Sequence, residues 1–413
     1  MDKNKHIYIV DEYLSSQQNG VGTYMTNFIE CMKGLNVNVN KIIFNTKESH
    51  FSIYEDYGTH YYCFPVCNDG DMLSCGGLFW PFLKLYISDN INNIFFINHS
   101  PCVDFMKVLR REFPLSKIVF TIHDQGWTAS LLGNKERLLH ILSKKYPYKK
   151  NYSVEIFCKK YFEQERQMYN IADCVVCLSE TTKQLLRSIY SVPPQKLHVI
   201  PNGYTTSVGI NELNERERIR TQLGICPDER VLLFVGRTVK AKGLDPLLQA
   251  FERLWIRDNK LRLIVSGEVY RFNEFAKLTP RSLSHVTYTG LISKDILRLW
   301  YIASDIGVLP SYTEQCSYTG IEMMANDLLV VTTDGNGLTD MFQHMYNALI
   351  AQIKPNLSES LERVLYYAIN LEKEQSLQIR KNALKIVEKK YSISVMRNGY
   401  RKLIFPESSY STI

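Results

Sequence analysis

Two glutamates with a fixed spacing lie in a segment that follows an apolar strand pattern and opens a helical one. Glu314 and Glu322 are separated by seven residues, and Pro310 and Ser311 precede them. Carboxylates accept hydrogen bonds from hydroxyl groups, and the N–H groups at a helix N-terminus favour phosphate. The segment suits a ligand with both groups, although two such glutamates alone are common on helix surfaces.

A second segment places cations where a predicted strand ends. The strand pattern Val231–Val235 leads into Gly236 and Arg237, and Lys242 follows a few residues later. Cations at such a rim can bind and neutralise an anionic group of a ligand. A glycine followed by an arginine carries little information unless other motifs accompany it.

Two further candidate segments lie in the first half of the chain. Gly20 and Gly22 follow the first strand pattern, and small residues there let the backbone approach a ligand closely. His123 ends the strand pattern Ile118–Ile122, and His99 is a second candidate of the same kind. The glycines could equally form a tight turn, and the histidine could cap its strand.

Taken in order, these segments resemble the family 4 glycosyltransferases, in which two glutamates are separated by seven residues. The resemblance runs from Gly20 to Asp340. It implies an α/β GT-B architecture, with two Rossmann-like domains facing a central cleft. It also implies transfer of a hexose-type sugar, with retention of configuration, from a nucleoside-diphosphate sugar that is UDP- or GDP-linked. The acceptor is not specified.

The resemblance also assigns roles. Glu314 would hold the transferred hexose, Glu322 would hold the ribose hydroxyls, and the cations would hold the diphosphate. The catalytic residues implied are His123, Glu314, Arg237 and Lys242. The donor-binding residues implied are Gly20, Gly22, Gly236, Gln315, Cys316, Ser317, Tyr318 and Glu322.

Three departures from the family pattern prevent the donor sugar from being carried over. Tyr204 and Thr205 follow Asn202-Gly203 where an acidic residue is usual, and Glu268 follows Gly267 where a second glycine is usual. The common Gly-Phe-Gly between the glutamates is replaced by residues 315–317, which alters the wall beside the donor sugar.

No metal and no cofactor is expected. In the family's mechanism a phosphate oxygen of the donor takes the acceptor proton, so no enzymatic nucleophile is needed. Arg237 and Lys242 can neutralise the diphosphate instead of a metal, and Asp69-Gly70-Asp71 lies outside the phosphate motifs. Cys174 and Cys177 fall on opposite faces of a strand pattern, which is wrong for a shared metal.

The elements that must position these residues form two series of strand patterns alternating with helical stretches. At 413 residues the chain exceeds one ordinary α/β core. The predicted domains are an acceptor-side domain over 1–203, a nucleotide-sugar domain over 204–385, and a segment over 386–413 that returns to the first domain.

The net charge of +7 raises the question of an anionic partner. Basic and aromatic residues are interleaved from Lys135 to Arg166, which suits an anionic membrane surface or acceptor, or simply a solvated helix face. No nucleic-acid motif accompanies the charge. With no signal peptide or membrane span in the sequence, we expect a cytoplasmic protein, with association to the inner membrane face left open.

Two rival functions remain open from the sequence. One is a nucleotide-sugar epimerase of the same fold, which would lack an acceptor site. The other is a nucleotide-sugar-binding module without transfer activity, which is favoured if residues 315–317 cannot hold a sugar.

Overall fold

The computed structural model describes residues 5–12, 20–65, 80–98, 102–144, 154–205 and 212–406. The chain divides into two compact units. Unit 1 comprises Met1–Gly203 and Ile393–Ile413, and unit 2 comprises Tyr204–Ser392. The segment predicted to return to the first domain begins at Ile393 and not at 386. Position 386 lies inside a helix that runs to Lys390 and buries Ile379, Ala383 and Val387 in unit 2.

The described residues of unit 1 form an eight-stranded sheet in the order β3-β4-β2-β1-β5-β6-β7-β8. All neighbouring strands are parallel except β3, which runs antiparallel to β4 at one edge. The strands are β1 (His6–Glu12), β2 (Asn38–Thr46), β3 (Ser52–Asp56), β4 (Thr59–Pro65), β5 (Asn93–Ile97), β6 (Lys117–Thr121), β7 (Cys174–Cys177) and β8 (Leu197–Val199).

Helices cover this sheet because the central strands are apolar on both faces, as parallel strands require. Every residue of β5 and β7 is buried. The helices are α1 (Gly20–Lys33), α2 (Trp80–Leu83), α3 (Val103–Glu112), α4 (Gly126–Ser130), α5 (Lys135–Ser143), α6 (Val154–Ile171) and α7 (Glu180–Ser188). Trp80 and Trp127 are among the largest fully buried side chains of this core.

Unit 2 has a six-stranded, wholly parallel sheet in the order β11-β10-β9-β12-β13-β14 within its described residues. The strands are β9 (Arg230–Val235), β10 (Leu261–Ser266), β11 (Val286–Gly290), β12 (Ile306–Leu309), β13 (Leu329–Thr333) and β14 (Leu349–Ala351). The strand patterns named from the sequence at Ile118–Ile122 and Val231–Val235 are present as β6 and β9, and β3, β4 and β14 had no predicted counterpart.

The helices of unit 2 enclose a core built around the apolar strands and Phe251. They are α8 (Glu212–Gln222), α9 (Leu244–Arg257), α10 (Phe272–Leu278), α11 (Lys294–Ala303), α12 (Tyr318–Ala325), α13 (Leu338–Met341), α14 (Leu357–Ile369) and α15 (Lys373–Lys390). Arg216 and Arg220 of α8 bind Asp305, which precedes β12, so this helix is fastened to the sheet by charge as well as by packing.

The last helix, α16 (Ile393–Ile404), belongs to unit 1 and packs against α1. Gly203 lies against it, because a Cβ at Gly203 would stand 2.8 Å from the Met396 Cβ. Asn27 of α1 donates a hydrogen bond to the Gly203 carbonyl at 2.8 Å. The glycine of the Pro-Asn-Gly segment is therefore explained by the close approach of this helix.

Candidate functional site

The strand order of unit 2 changes direction between β9 and β12. From β9 the chain builds β10 and β11 on one side, and it then returns to place β12 on the other side. Ligands of open α/β sheets bind outside the carboxyl ends of strands at such a point. Arg237 follows β9 and Glu314 follows β12, so both residues lie at this edge of the sheet.

The loop after β9 is shaped by two glycines with positive φ. Gly236 has φ of 154° and Gly267 has φ of 146°, and a Cβ at Gly267 would lie 2.0 Å from the Gly236 carbonyl oxygen. Thr238 donates to the Glu268 carbonyl at 2.8 Å, which joins the loops after β9 and β10. Arg237 is exposed at this rim and has no hydrogen-bond or ion-pair partner within the described residues.

Lys242 and Glu314 form an ion pair, although 72 positions separate them. The Lys242 Nζ lies 2.6 Å from the Glu314 Oε1, and Ser311 Oγ donates to the same oxygen at 2.7 Å. The side chains are 24% and 11% exposed, so the pair is largely withdrawn from water. A cation and a carboxylate thus meet at the end of β12, and each could exchange its partner for a charged or hydroxylated ligand.

Backbone contacts hold the loops that carry this pair. Tyr312 N–H donates to the Ala241 carbonyl at 2.9 Å, and Glu314 N–H donates to the Asn336 carbonyl at 2.9 Å. Gly243, with φ of 71°, would place a Cβ 2.0 Å from the Pro310 oxygen. Gly337, with φ of 76°, would place a Cβ 2.0 Å from the Glu314 oxygen. Both positions exclude a side chain on steric as well as conformational grounds.

The residues that replace Gly-Phe-Gly precede the N-terminus of α12. Gln315, Cys316 and Ser317 are all buried. Ser317 caps the helix, since its Oγ accepts a hydrogen bond from the Gly320 N–H at 3.2 Å. The Ser317 N–H, which the resemblance assigns to donor binding, donates to the Met341 Sδ at 3.2 Å. A thioether is a weak acceptor, so this N–H is held weakly.

Glu322 lies in the second turn of α12 and accepts a hydrogen bond from the Tyr301 hydroxyl at 2.9 Å. Burial raises the pKa of the Glu322 carboxyl, while the Tyr301 hydrogen bond and Lys294 act in the opposite direction. Tyr301 belongs to α11 and was not identified from the sequence. A tyrosine within a helical pattern gives no sign that its hydroxyl faces another helix.

In unit 1 the structure places His123 just after β6, half-buried against Tyr24 of α1. The ring centroids lie 4.4 Å apart in an edge arrangement, and His123 Nε2 lies 3.4 Å from Asn98 Oδ1. The Tyr24 hydroxyl lies 2.5 Å from the Tyr400 hydroxyl, so α16 supports this contact. Asn98 directly follows β5, and a polar residue at that strand end was the signal available in the sequence.

The remaining predicted residues of unit 1 are described in part. Gly20 and Gly22 lie in the first turn of α1. Gly20 is exposed, and a Cβ added there would have no other atom within 4 Å. The preceding residues 13–19, His99 and the Asp69-Gly70-Asp71 segment lie outside the described residues.

The basic stretch from Lys135 to Arg166 covers α5 and α6, with residues 145–153 outside the described part. Two of its cations have acidic partners: Arg137 lies 3.6 Å from Glu155, and Arg166 lies 3.0 Å from Glu163. Lys135, Lys144 and Lys160 are exposed. Within the described parts of this stretch, the surface therefore combines cations that have acidic partners with exposed lysines for which no ion pair is seen.

Comparison with known families divides the chain at nearly the same place as the structure does. The model described as Glycosyltransferase Family 4 matches residues 18–208, and the model described as Glycosyl transferases group 1 matches residues 215–386. The two matches are consecutive and leave only short segments uncovered. The chain belongs to glycosyltransferase family 4. The resemblance found from Gly20 to Asp340 is thereby confirmed.

One curated relative of this family 4 chain is an uncharacterised glycosyltransferase of Methanocaldococcus jannaschii. It is 29% identical over 196 residues, which is 46% of this chain and 50% of the relative. The aligned region thus spans about half the length of that relative.

Two solved structures have the fold of this family 4 chain over nearly its whole length. The sucrose-phosphate synthase from Thermosynechococcus elongatus is 17% identical, with a TM-score of 0.75, and the match covers 97% of this chain and 98% of that one. HepE of Anabaena, solved in complex with UDP and glucose, is 14% identical with a TM-score of 0.70, covering 96% and 98%. At these identities the likeness establishes the GT-B fold class.

Two features of this family 4 protein concern metal binding and membrane insertion. Over the described ranges, no three or more His, Cys, Asp or Glu side chains are grouped so as to hold a metal ion. Among the helices that the structure describes, none has both the length and the apolar character to cross a bilayer.

Proposed function

We propose that this protein is a retaining glycosyltransferase that transfers a hexose-type sugar from a nucleoside-diphosphate sugar to an acceptor. The observation that supports it most is the Lys242–Glu314 pair at the carboxyl ends of β9 and β12, beside the exposed Arg237. Groups that can bind an anion and a group that can bind hydroxyls therefore lie together within unit 2. Family membership supports the class of reaction.

In the proposed reaction the acceptor attacks the sugar on the face from which the nucleotide departs. A phosphate oxygen of the donor accepts the acceptor proton, so the protein supplies no nucleophile. Arg237 and Lys242 stabilise the charge that grows on the diphosphate, and Glu314 and His123 hold the sugar. Because these cations provide the leaving-group stabilisation, we propose that the reaction needs no metal or other cofactor.

A uridine nucleotide is the donor to test first, because HepE, which shares the fold, was solved with UDP and glucose. A thermal-shift screen of UDP- and GDP-linked hexoses identifies the donor, since a ligand at roughly 100 times its Kd adds about 2.7 kcal/mol of stability. No stabilisation by any nucleoside diphosphate or its sugars would contradict the proposed donor class.

Three variants then separate nucleotide binding from transfer. Arg237→Ala and Glu322→Ala each remove a partner of the nucleotide and should weaken UDP binding by about 1.5 to 3 kcal/mol in calorimetry. His123→Ala should leave UDP binding unchanged and lower the release of nucleoside diphosphate by roughly two to three orders of magnitude. Unchanged affinity in both nucleotide variants would refute the site.

The two rival functions give different results in the same assays. An epimerase converts the donor sugar without an acceptor and without releasing nucleoside diphosphate. A binding module binds the donor and turns nothing over. Sugar analysis by chromatography, with and without candidate acceptors, distinguishes all three.

We also propose that the surface of α5 and α6 meets an anionic membrane or a charged acceptor. The exposed Lys135, Lys144 and Lys160 support this. The paired Arg137 and Arg166 contribute less, because their charges are already partly neutralised.

A further inference from the structure

A fully buried carboxylate lies behind the segment that carries His123. Glu165 of α6 is 0% exposed, in a helix whose neighbouring positions are rich in charged residues. A buried carboxylate is costly unless its oxygens are hydrogen-bonded. The hydrogen-bond partners of Glu165 therefore show which parts of the structure this carboxylate holds in place.

Both oxygens of Glu165 have partners from other elements. Oε1 accepts a hydrogen bond from the Gly126 N–H at 2.7 Å, and Oε2 accepts one from the Tyr190 hydroxyl at 2.5 Å. Trp127 Nε1 donates to the same Tyr190 hydroxyl at 3.1 Å. The carboxylate thus ties α6 to the start of α4 and to the residues after α7.

The Gly126 N–H is the point at which this network reaches the proposed site. His123 is three residues before Gly126, and only Asp124 and Gln125 lie between them. Gly126 also packs closely against α6, since a Cβ at this position would lie 2.1 Å from the Tyr161 ring. The segment from His123 to Gly126 is therefore anchored at its far end by a hydrogen bond and by close packing.

We propose that Glu165 is a positioning residue for His123, and that its carboxylate fixes the His123–Gly126 segment through the Gly126 N–H. This rests on the proposed function, in which His123 holds the transferred sugar. Loss of the carboxylate leaves the Gly126 N–H without a charged acceptor and lets the segment move. Displacements of about 1 Å in a catalytic group can cost on the order of 100-fold in rate.

The proposal gives the protein a pH dependence. The pKa of Glu165 is raised to about 7, and the largest cause is burial. Asp124 also raises this pKa, whereas the hydrogen bonds from Tyr190 and Gly126 lower it. Below that pH the carboxyl is protonated, and its hydrogen bonds to Gly126 and Tyr190 weaken. Other titratable or charged groups near Glu165 are Tyr169 and Cys158 on the same helix, and Arg137 on α5 with Glu155.

The Gly126 amide can be observed directly. Gln125-Gly126 is the one Gln-Gly dipeptide in the sequence, so labelling glutamine carbonyl carbon with ¹³C and glycine nitrogen with ¹⁵N isolates a single amide signal. In the wild type we expect this signal to titrate with a midpoint near 7. In Glu165→Gln the titration should be absent, and it should persist in His123→Ala.

Activity provides the second measurement. Glu165→Gln should lower kcat by about 10- to 100-fold with little change in the donor KM. We expect the wild-type rate to rise between pH 6 and 8, and this rise should be absent in Glu165→Gln. The matched control is Glu163→Gln on the exposed side of the same helix, which should retain wild-type kcat and pH profile. Circular dichroism confirms that each variant is folded.

The possible failures are distinguishable. A Gly126 titration that survives in Glu165→Gln, or a folded Glu165→Gln with wild-type kcat and pH profile, overturns the positioning role while His123→Ala still tests the transferase. A His123→Ala enzyme with wild-type kcat overturns both the catalytic assignment and the inference that depends on it.

Discussion

Glu314→Gln should tighten the binding of free UDP while it slows transfer. Glu314 holds Lys242 at 2.6 Å, so a diphosphate must draw the lysine away from that carboxylate. The glutamine keeps the shape of the side chain but removes the negative charge. Lys242 is then available to the diphosphate at a smaller cost.

The size of the effect follows from the exposure of the pair. Exposed ion pairs contribute about 0.2 to 1 kcal/mol, and breaking a buried pair costs about 3 to 5 kcal/mol. The side chains are 24% and 11% exposed, and Ser311 also stabilises the carboxylate. We therefore expect a gain of about 1 kcal/mol, which corresponds to about fivefold tighter UDP binding.

Calorimetry with UDP on the wild type, Glu314→Gln, Lys242→Met and the double variant tests this reasoning. Lys242→Met should weaken UDP binding, and Glu314→Gln should add nothing once the lysine is absent, because its effect acts through that lysine. If Glu314→Gln weakens UDP binding as much as Lys242→Met does, the pair does not compete with the diphosphate and the account of this site is wrong.

Three further predictions concern the backbone, a buried charge and the surface. Gly337→Ala should unfold at a lower urea concentration than Gly290→Ala, because both have positive φ but only the first would place its Cβ 2.0 Å from the Glu314 oxygen; equal midpoints would contradict this. Because the pKa of Glu165 is raised from 4.5 to about 7, its contribution to stability is fully present below pH 4.5 and is lost as pH rises through 7. Glu165→Gln should remove about 3 kcal/mol of that decline between pH 4.5 and 7, as measured by urea unfolding across this range; a pH dependence as steep as that of the wild type would contradict it. Changing the exposed lysines to Gln should reduce sedimentation with anionic vesicles at low salt more than the same change at the paired arginines. Equal losses would indicate that this surface is simply a solvated helix face. The lysines are 135, 144 and 160, and the arginines are 137 and 166.

The parallel strands were predictable from the sequence because buried parallel strands are apolar on both faces. The edge strand β3 and its neighbour β4 were not predicted. Strand β3 is exposed along four of its five residues, and its sequence, Ser-Ile-Tyr-Glu-Asp, gives no apolar run. The three-residue β14 is too short to show a period.

Within the candidate site, the sequence identified the residues that end strands but not their partners. The pairing of Lys242 with Glu314 and of Tyr301 with Glu322 depends on how loops and helices from distant positions pack. Glu165 was missed for a related reason. Charged neighbours on its helix indicate a solvated face, and only the packing of Gly126 and Tyr190 shows that one glutamate points inward.

The arrangement of α16 has a consequence for the order in which the chain can fold during synthesis. Tyr24 and Phe28 of α1 are fully buried, and both contact Tyr400, which lies near the end of the chain. Until the ribosome releases α16, this face of α1 is uncovered. Unit 1 therefore begins to form before unit 2 but is completed only after it, so a premature stop codon after residue 392 would damage the first unit and spare the second.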